Sequence, residues 1–348
     1  MVLTVADLSE DEILARLTPL FPPPHGPVAN GDDAAVVSTP DGTVVACTDV
    51  LVQGRHFRTD WSRGADVGWR AVMQNVSDIS AMGARPTAIL IDLVLPGELP
   101  FAWVEDCARG IANACQIGSL IWGAPVGVAG GDLSGGDAVV LAITALGDMA
   151  GASARVRSGA QAGDVVAVIG QLGWSAAGLA LAEAGYAAVE GPEAQALAGA
   201  QTLPGIARQA LTRFRRPAPP LRYGRQCLQV NALMDISDGV VRDAERMARA
   251  SDMHIDLDAA AIAALCAQSP LLEVARLLEP RAMPADLQGV VRRWIMGGGE
   301  DHGLLLTCPA EKLPAGAQVI GKVDDGAACL TLGREPIGGQ GWDHFRRG

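Results

Sequence analysis

The chain of 348 residues carries 27 Lys+Arg against 39 Asp+Glu, a formal net charge of -12, which argues against a general basic surface that grips nucleic acid. Only Lys312 and Lys322 among the basic residues are lysine, so residues 1–311 hold no P-loop lysine, no kinase strand lysine and no Schiff-base lysine. At roughly 150 residues per domain the length implies two domains, and 49% hydrophobic with 19% charged residues is a folded, globular composition.

The first element is a helix running toward Leu20 from the capping box Ser9-x-x-Glu12. Thr43 to Thr48 is a β-branched run that predicts a strand ending at Asp49. Asp66 to Met82 predicts a helix whose buried stripe is Val72, Val76 and Ile79, with Asn75 and Asp78 together about a quarter turn away. A strand follows from Ala88 to Leu95, stopped by Pro96-Gly97, then a helix from Phe101 to Cys115 and a strand from Ala138 to Leu146. The texture changes near residue 150, where Arg157 to Gly170 reads as a turn and a new strand. The expected domains are therefore 1–150 and 151–348. An alanine-rich helix follows Ser175, and the proline-rich segment Arg213 to Pro220 cannot be helical throughout. The second half then repeats the style of the first: a strand to Met234, the turn Asp235 to Gly239, and a helix with Val240, Ala244 and Met247 inward. Such alternation predicts an α/β or α+β protein.

The apolar stretch Val139 to Leu146 is too short to span a bilayer, and the N-terminus is acidic where a secretory signal is basic. A cytoplasmic protein with no membrane partner is expected. Seven cysteines without a CxxC pair read as reduced, mostly buried thiols and not as a zinc site.

Much of the glycine sits beside carboxylates: Gly31-Asp32-Asp33, Gly130-Gly131-Asp132, Asp238-Gly239 and Gly297-Gly298-Gly299-Glu300-Asp301. These clusters predict tight turns that bring backbone close to a ligand. Asp32, Asp33, Asp49, Asp78, Asp132, Asp235, Asp238, Glu300 and Asp301 all fall at element ends, at glycine turns or on a polar helix stripe. Carboxylates gathered in one cleft repel one another unless cations neutralise them, and oxygen-only ligands suit Mg²⁺ carried with substrate phosphates. Each residue also has a plainer reading. Asp238 is by type a helix N-cap, Asp32-Asp33 a turn, Asp78 a solvated helix face and Arg157 a surface arginine.

Taken in order, NGDDAAV (30–36), TDVLVQGRHF (48–57), NVSDISAMGARP (75–86), GGDLSGG (130–136), RSGAQAGD (157–164), MDISDG (234–239), GGGEDHGLLLT (297–307) and GWDHF (341–345) resemble thiamine-monophosphate kinase. That family belongs to the superfamily of aminoimidazole ribonucleotide synthetase. The resemblance implies a two-domain fold of that type, with an N-terminal sheet domain that pairs in a homodimer and a C-terminal α/β sandwich domain. It implies ATP-dependent phosphorylation of thiamine monophosphate to thiamine diphosphate with several Mg²⁺ ions. By position, Asp33, Thr48, Asp49, Asp78, Asp132, Asp235 and Asp238 fall on metal positions. Gly131, Asp132, Arg157 and Ser237 fall on ATP positions, and His56, Glu300 and Trp342 on positions that contact thiamine monophosphate.

Two departures stand out. Cys47 replaces a usual serine before Thr48-Asp49, and His302-Gly303 replaces a usual Tyr-Glu after Glu300-Asp301. Another ATP-dependent synthetase of the superfamily, or a nucleotide-binding relative without catalysis, is the alternative. Selenophosphate synthesis would want a reactive cysteine in an early glycine-rich loop, and hydrogenase maturation a C-terminal cysteine. The first cysteine is instead Cys47 in a strand, and the chain ends Phe345-Arg346-Arg347-Gly348.

Overall fold

The computed structural model describes residues 2–23, 37–187, 203–339 and 341. The chain divides between Ala152 and Ser153 into two compact units, with Ala81–Gly83 belonging to the second.

In the first unit, α1 (Glu10–Leu17) opens on the expected capping box: the Glu12 amide donates to the Ser9 hydroxyl at 3.3 Å, and the Ser9 amide donates to the Glu12 carboxylate at 2.8 Å. The remaining elements are β1 (Val45–Val52), α2 (Gly64–Ala81), β2 (Arg85–Leu95), α3 (Phe101–Trp122), β3 (Gly127–Gly135) and β4 (Val140–Asp148). The sheet order is β1-β4-β2-β3, antiparallel except for β2 beside β3. The α2 stripe is buried as its spacing requires, with Val72, Val76 and Ile79 at 0%, 2% and 0% exposure. Burial of side chains of this size contributes about 1.5–3 kcal/mol each. Helices α2 and α3 touch backbone to backbone, because a methyl group at Gly68 would collide with the Cys107 carbonyl oxygen and one at Gly110 with that of Ala65.

Strand β1 and helix α3 run well past their expected ends, and one expected turn is a strand. Strand β1 runs through Asp49 to Val52, since β4 offers a partner for every residue of Val45–Val52. Helix α3 continues past Cys115 to Trp122, ending at Gly123 in the left-handed region at φ 65°. The Gly130-Gly131-Asp132 cluster, expected as a turn, lies in edge strand β3 paired with β2. Gly131 is needed there for close approach and not for a turn, because a side chain would strike the Ile91 carbonyl oxygen.

The second unit contains β5 (Val165–Ile169), α4 (Trp174–Leu181), α5 (Gly205–Arg215), β6 (Ala232–Ile236), α6 (Val240–Ser251), β7 (His254–Leu257), α7 (Ala259–Gln268), α8 (Leu271–Leu278), α9 (Pro284–Gly297), β8 (Gly303–Cys308), β9 (Gln318–Asp324), β10 (Cys329–Leu332) and β11 (Glu335–Pro336). Its seven-stranded sheet has the order β11-β10-β7-β9-β5-β8-β6. Ala167, Ile169, Leu233, Leu304 and Leu306 from the three strands β5, β6 and β8 form one buried cluster. Helix α5 stops at Arg215, before Pro217. Helix α6 buries Val240, Ala244 and Met247 at 1%, 0% and 0% exposure.

All seven cysteines are free; five are buried, Cys47 is half-buried and Cys329 is exposed. Burial pushes the Cys107 and Cys115 thiols up to about 12, which leaves them as inert core residues. Among the described residues no single helix is long and apolar enough to cross a membrane.

Candidate active site

In the first unit, two of the expected site residues, Asp49 and Asp78, lie along the seam of β1 and α2. The Cys47 thiol sits 3.2 Å from the Asn75 carbonyl oxygen, which seats this face of the strand on the helix. Asn75 is fully buried, and its amide donates to the Ala71 carbonyl at 2.9 Å. It is therefore a packing residue and not part of the polar stripe expected for it. Alternation along the strand puts Asp49 on the same face as Cys47, while Asp78 lies one turn beyond Asn75 and is half-buried. Thr48 faces the opposite side, where its hydroxyl donates to the Ile143 carbonyl and accepts from the Thr144 hydroxyl, both at 3.1 Å. Of these two neighbours, only Asp49 turns its side chain toward α2.

His56 follows β1 in a turn in which the Val52 amide donates to its Nδ1 at 2.9 Å. An accepting Nδ1 leaves the proton of the neutral ring on Nε2, which becomes a donor. Asp132 is exposed on β3 beside Gly131 and accepts from the Ser134 hydroxyl at 3.1 Å.

In the second unit, two of the sequence motifs lie edge to edge. The Glu300 amide donates to the Ser237 carbonyl at 2.8 Å, and the His302 amide to that of Ile236 at 3.2 Å, so the GGGEDHG loop extends the pairing of β8 with β6. A methyl group at Gly299 would collide with the Ser237 carbonyl oxygen. Two non-glycine residues hold positive φ in this loop, Glu300 at 65° and His302 at 53°, a conformation that costs side-chain-bearing residues energy and gathers at functional sites. The turn expected from Asp235 to Gly239 begins later, because Asp235 is the fourth residue of β6; its Oδ2 meets His302 Nδ1 at 3.1 Å.

Asp238 does not cap α6. The cap position is Gly239, at φ 108°, and no side chain caps it. The Asp238 carboxylate instead lies 2.6 Å from Arg246 Nη2 and 3.8 Å from Arg242 Nε. Its amide donates at 2.9 Å to the carboxylate of Asp243, which Arg246 also contacts at 2.7 Å. Burial pushes the Asp243 carboxyl up to about 6, against the pull of the Asp238 amide and Arg246. Asp243 and Arg246 brace the turn and were absent from the expected site. Their i,i+3 spacing on α6 is the signal that could have found them. Asp301 is a second reassignment: its carboxylate accepts from the amides of Gly173 at 2.6 Å and Ser175 at 2.8 Å, capping α4 from a distant loop. Desolvation pushes its carboxyl up to about 7 despite these donors. Arg157 is exposed, and its carbonyl accepts from the Ser251 hydroxyl at 2.9 Å.

Asp33 and Trp342 lie outside the described residues. Among the described residues, no three His, Cys, Asp or Glu side chains form a group that could hold a metal unaided. Asp49 and Asp78 in the first unit, and separately Asp235 in the second, carry carboxylate oxygens, a donor type that suits Mg²⁺, which retains water and takes ligands from substrate phosphates.

The family model described as AIR synthase related protein, N-terminal domain, matches residues 31–149. Thiamine-monophosphate kinase of Mycobacterium tuberculosis is 40% identical over 319 residues, 90% of this chain and 85% of that protein. The chain belongs to the thiamine-monophosphate kinase family. The family's Corynebacterium glutamicum member is 35% identical over 92% of this chain and 87% of its own length. Among solved structures, AaThiL complexed with AMPPCP and TMP has a TM-score of 0.70 at 28% identity, covering 90% of this chain and 91% of that one.

Proposed function

We propose that this chain transfers the terminal phosphoryl group of ATP to the phosphate of thiamine monophosphate, forming thiamine diphosphate by direct in-line transfer. The observation that carries the reading is the 40% identity to thiamine-monophosphate kinase across nine-tenths of the chain. The acceptor is a phosphate monoester, largely ionised near neutral pH because its second pKa is about 6, so no side chain need act as general base. The burden lies in bringing two anions together and aligning them.

With lysine absent from residues 1–311, that burden falls on carboxylate-held cations and arginine. Asp49, Asp78 and Asp235 would hold Mg²⁺, together with Asp33, Asp132 and Asp238 and with Thr48 through its backbone. Asp238 would do so only by giving up its pair with Arg246. When bound, Mg²⁺ neutralises phosphate charge. Gly131, Arg157 and Ser237 would contact ATP, while His56, through its Nε2 donor, and Glu300 would orient thiamine monophosphate. The outer face of the four-stranded sheet, with Val50 45% and Leu90 37% exposed, would pair with a second copy in a homodimer. Free thiols throughout fit a cytoplasmic setting.

Incubation with ATP, Mg²⁺ and thiamine monophosphate is expected to yield thiamine diphosphate and ADP in equal amounts, and chelator should abolish the yield until Mg²⁺ is restored. Chelator-resistant turnover would remove the metals from the mechanism. Trp342 would offer an indole face to the cationic thiazolium, an attraction worth on the order of 1–2 kcal/mol in a partly desolvated site. Trp342→Ala is therefore expected to raise KM for thiamine monophosphate about tenfold with KM for ATP nearly unchanged. Steady-state kinetics in both substrates checks this, and a loss confined to ATP would move Trp342 to the nucleotide.

A further inference from the structure

His302 is tied to β6 twice. Its amide donates to the Ile236 carbonyl at 3.2 Å, and its ring Nδ1 lies 3.1 Å from Oδ2 of Asp235, the residue before Ile236. Both side chains are withdrawn from solvent, with His302 6% and Asp235 8% exposed. A carboxylate in such a place gains from a dedicated donor, because an unmet acceptor there would bear the cost of its desolvation. The ring reaches that carboxylate from a backbone held at φ 53°, in the left-handed region that histidine adopts more readily than most residues. A carboxylate anchored through one oxygen has far fewer orientations open to the other.

We propose that His302 is a positioning residue for Asp235: the imidazole fixes one carboxylate oxygen and thereby sets the orientation in which Asp235 meets a divalent cation. The inference rests on the reading of this chain as a thiamine-monophosphate kinase that uses Mg²⁺. The residue acts through Asp235 and touches neither the cation nor a substrate. Residues that orient metal-bound carboxylates typically change metal affinity 10–100-fold when removed.

The test uses the full chain and Mn²⁺ alone as the probe, with the free ion measured by electron paramagnetic resonance. His302→Phe keeps an aromatic ring but removes the donor, and is expected to weaken Mn²⁺ binding about tenfold. His302→Asn tolerates positive φ and carries an amide donor, so its affinity should return to within about threefold of wild type. In an Asp235→Asn background, His302→Phe should add less than about twofold, because the two residues act as one unit. The same tenfold loss in that background would show general loosening and overturn the proposal. Wild-type affinity in a folded His302→Phe, or no Mn²⁺ binding by the wild type, would also overturn it.

Should His302→Phe fail to fold, the ¹⁵N signals of the wild-type ring decide. The proposal requires the proton on Nδ1 and a shift of that signal when Mg²⁺ is added, and a signal indifferent to saturating Mg²⁺ contradicts it. Thiamine diphosphate formation by the same wild-type preparation is measured in parallel. Failure of that reaction with Mn²⁺ results as expected would strike the proposed function and leave the positioning role standing.

Discussion

Asp49→Asn and Asp78→Asn are each expected to lower kcat by about 10²–10³ while the protein stays folded, the cost typical of removing one group that stabilises transition-state charge. Both changes keep shape and remove one negative charge at the seam of β1 and α2. Neither side chain is fully buried, and the packing there comes from neighbours: Cys47 against Asn75, and the stripe of Val72, Val76 and Ile79. Thermal unfolding should therefore be nearly unchanged while turnover collapses. Titration of kcat with Mg²⁺ checks the cause, and full activity of either variant at limiting Mg²⁺ would take these carboxylates out of the metal site.

The second large effect is structural. Gly299→Ala would drive a methyl group into the Ser237 carbonyl oxygen and within 3.3 Å of Asp238 Cα, both backbone positions that cannot swing aside. The bond from the Glu300 amide to that same carbonyl holds the two motif loops together, so relieving the clash separates them. Destabilisation of about 1–3 kcal/mol is expected, with turnover falling at least about tenfold as Ser237, Asp238 and Glu300 lose register. Gly289→Ala on α9 is the control. Its nearest neighbour is Arg293 Nη1 at 3.9 Å, so it should stabilise the protein by up to about 1 kcal/mol through helix propensity. Denaturant midpoints of the two variants moving in the same direction would contradict this account of the loop.

Local signals were legible wherever one element decided the outcome. The Ser9–Glu12 box, the buried stripe of α2, the inward face of α6 and the halt of α5 before Pro217 all follow from spacing and residue type. What sequence alone left out depends on partners far along the chain. Strand β1 passes through Asp49 because β4, some 90 residues later, pairs with it. The glycine pair of β3 resembles a turn until the Ile91 carbonyl is seen to occupy the space a side chain at Gly131 would need. Asp301 reads as one more acidic site residue, yet its oxygens cap a helix that begins at Trp174. Asp238 looks like a cap and is instead paired with arginines of the helix it precedes. Tertiary contacts thus decide which of these carboxylates are engaged in structure, a matter that residue type alone leaves open.

The central claim concerns the acceptor, and a side-by-side assay of thiamine and thiamine monophosphate with Mg²⁺ and ATP labelled in its γ-phosphate tests it most directly. The label is expected only in thiamine diphosphate formed from thiamine monophosphate, with none transferred to thiamine and none retained on the protein. Labelled thiamine monophosphate appearing from thiamine, or label held on the protein, would contradict direct transfer to a phosphate acceptor.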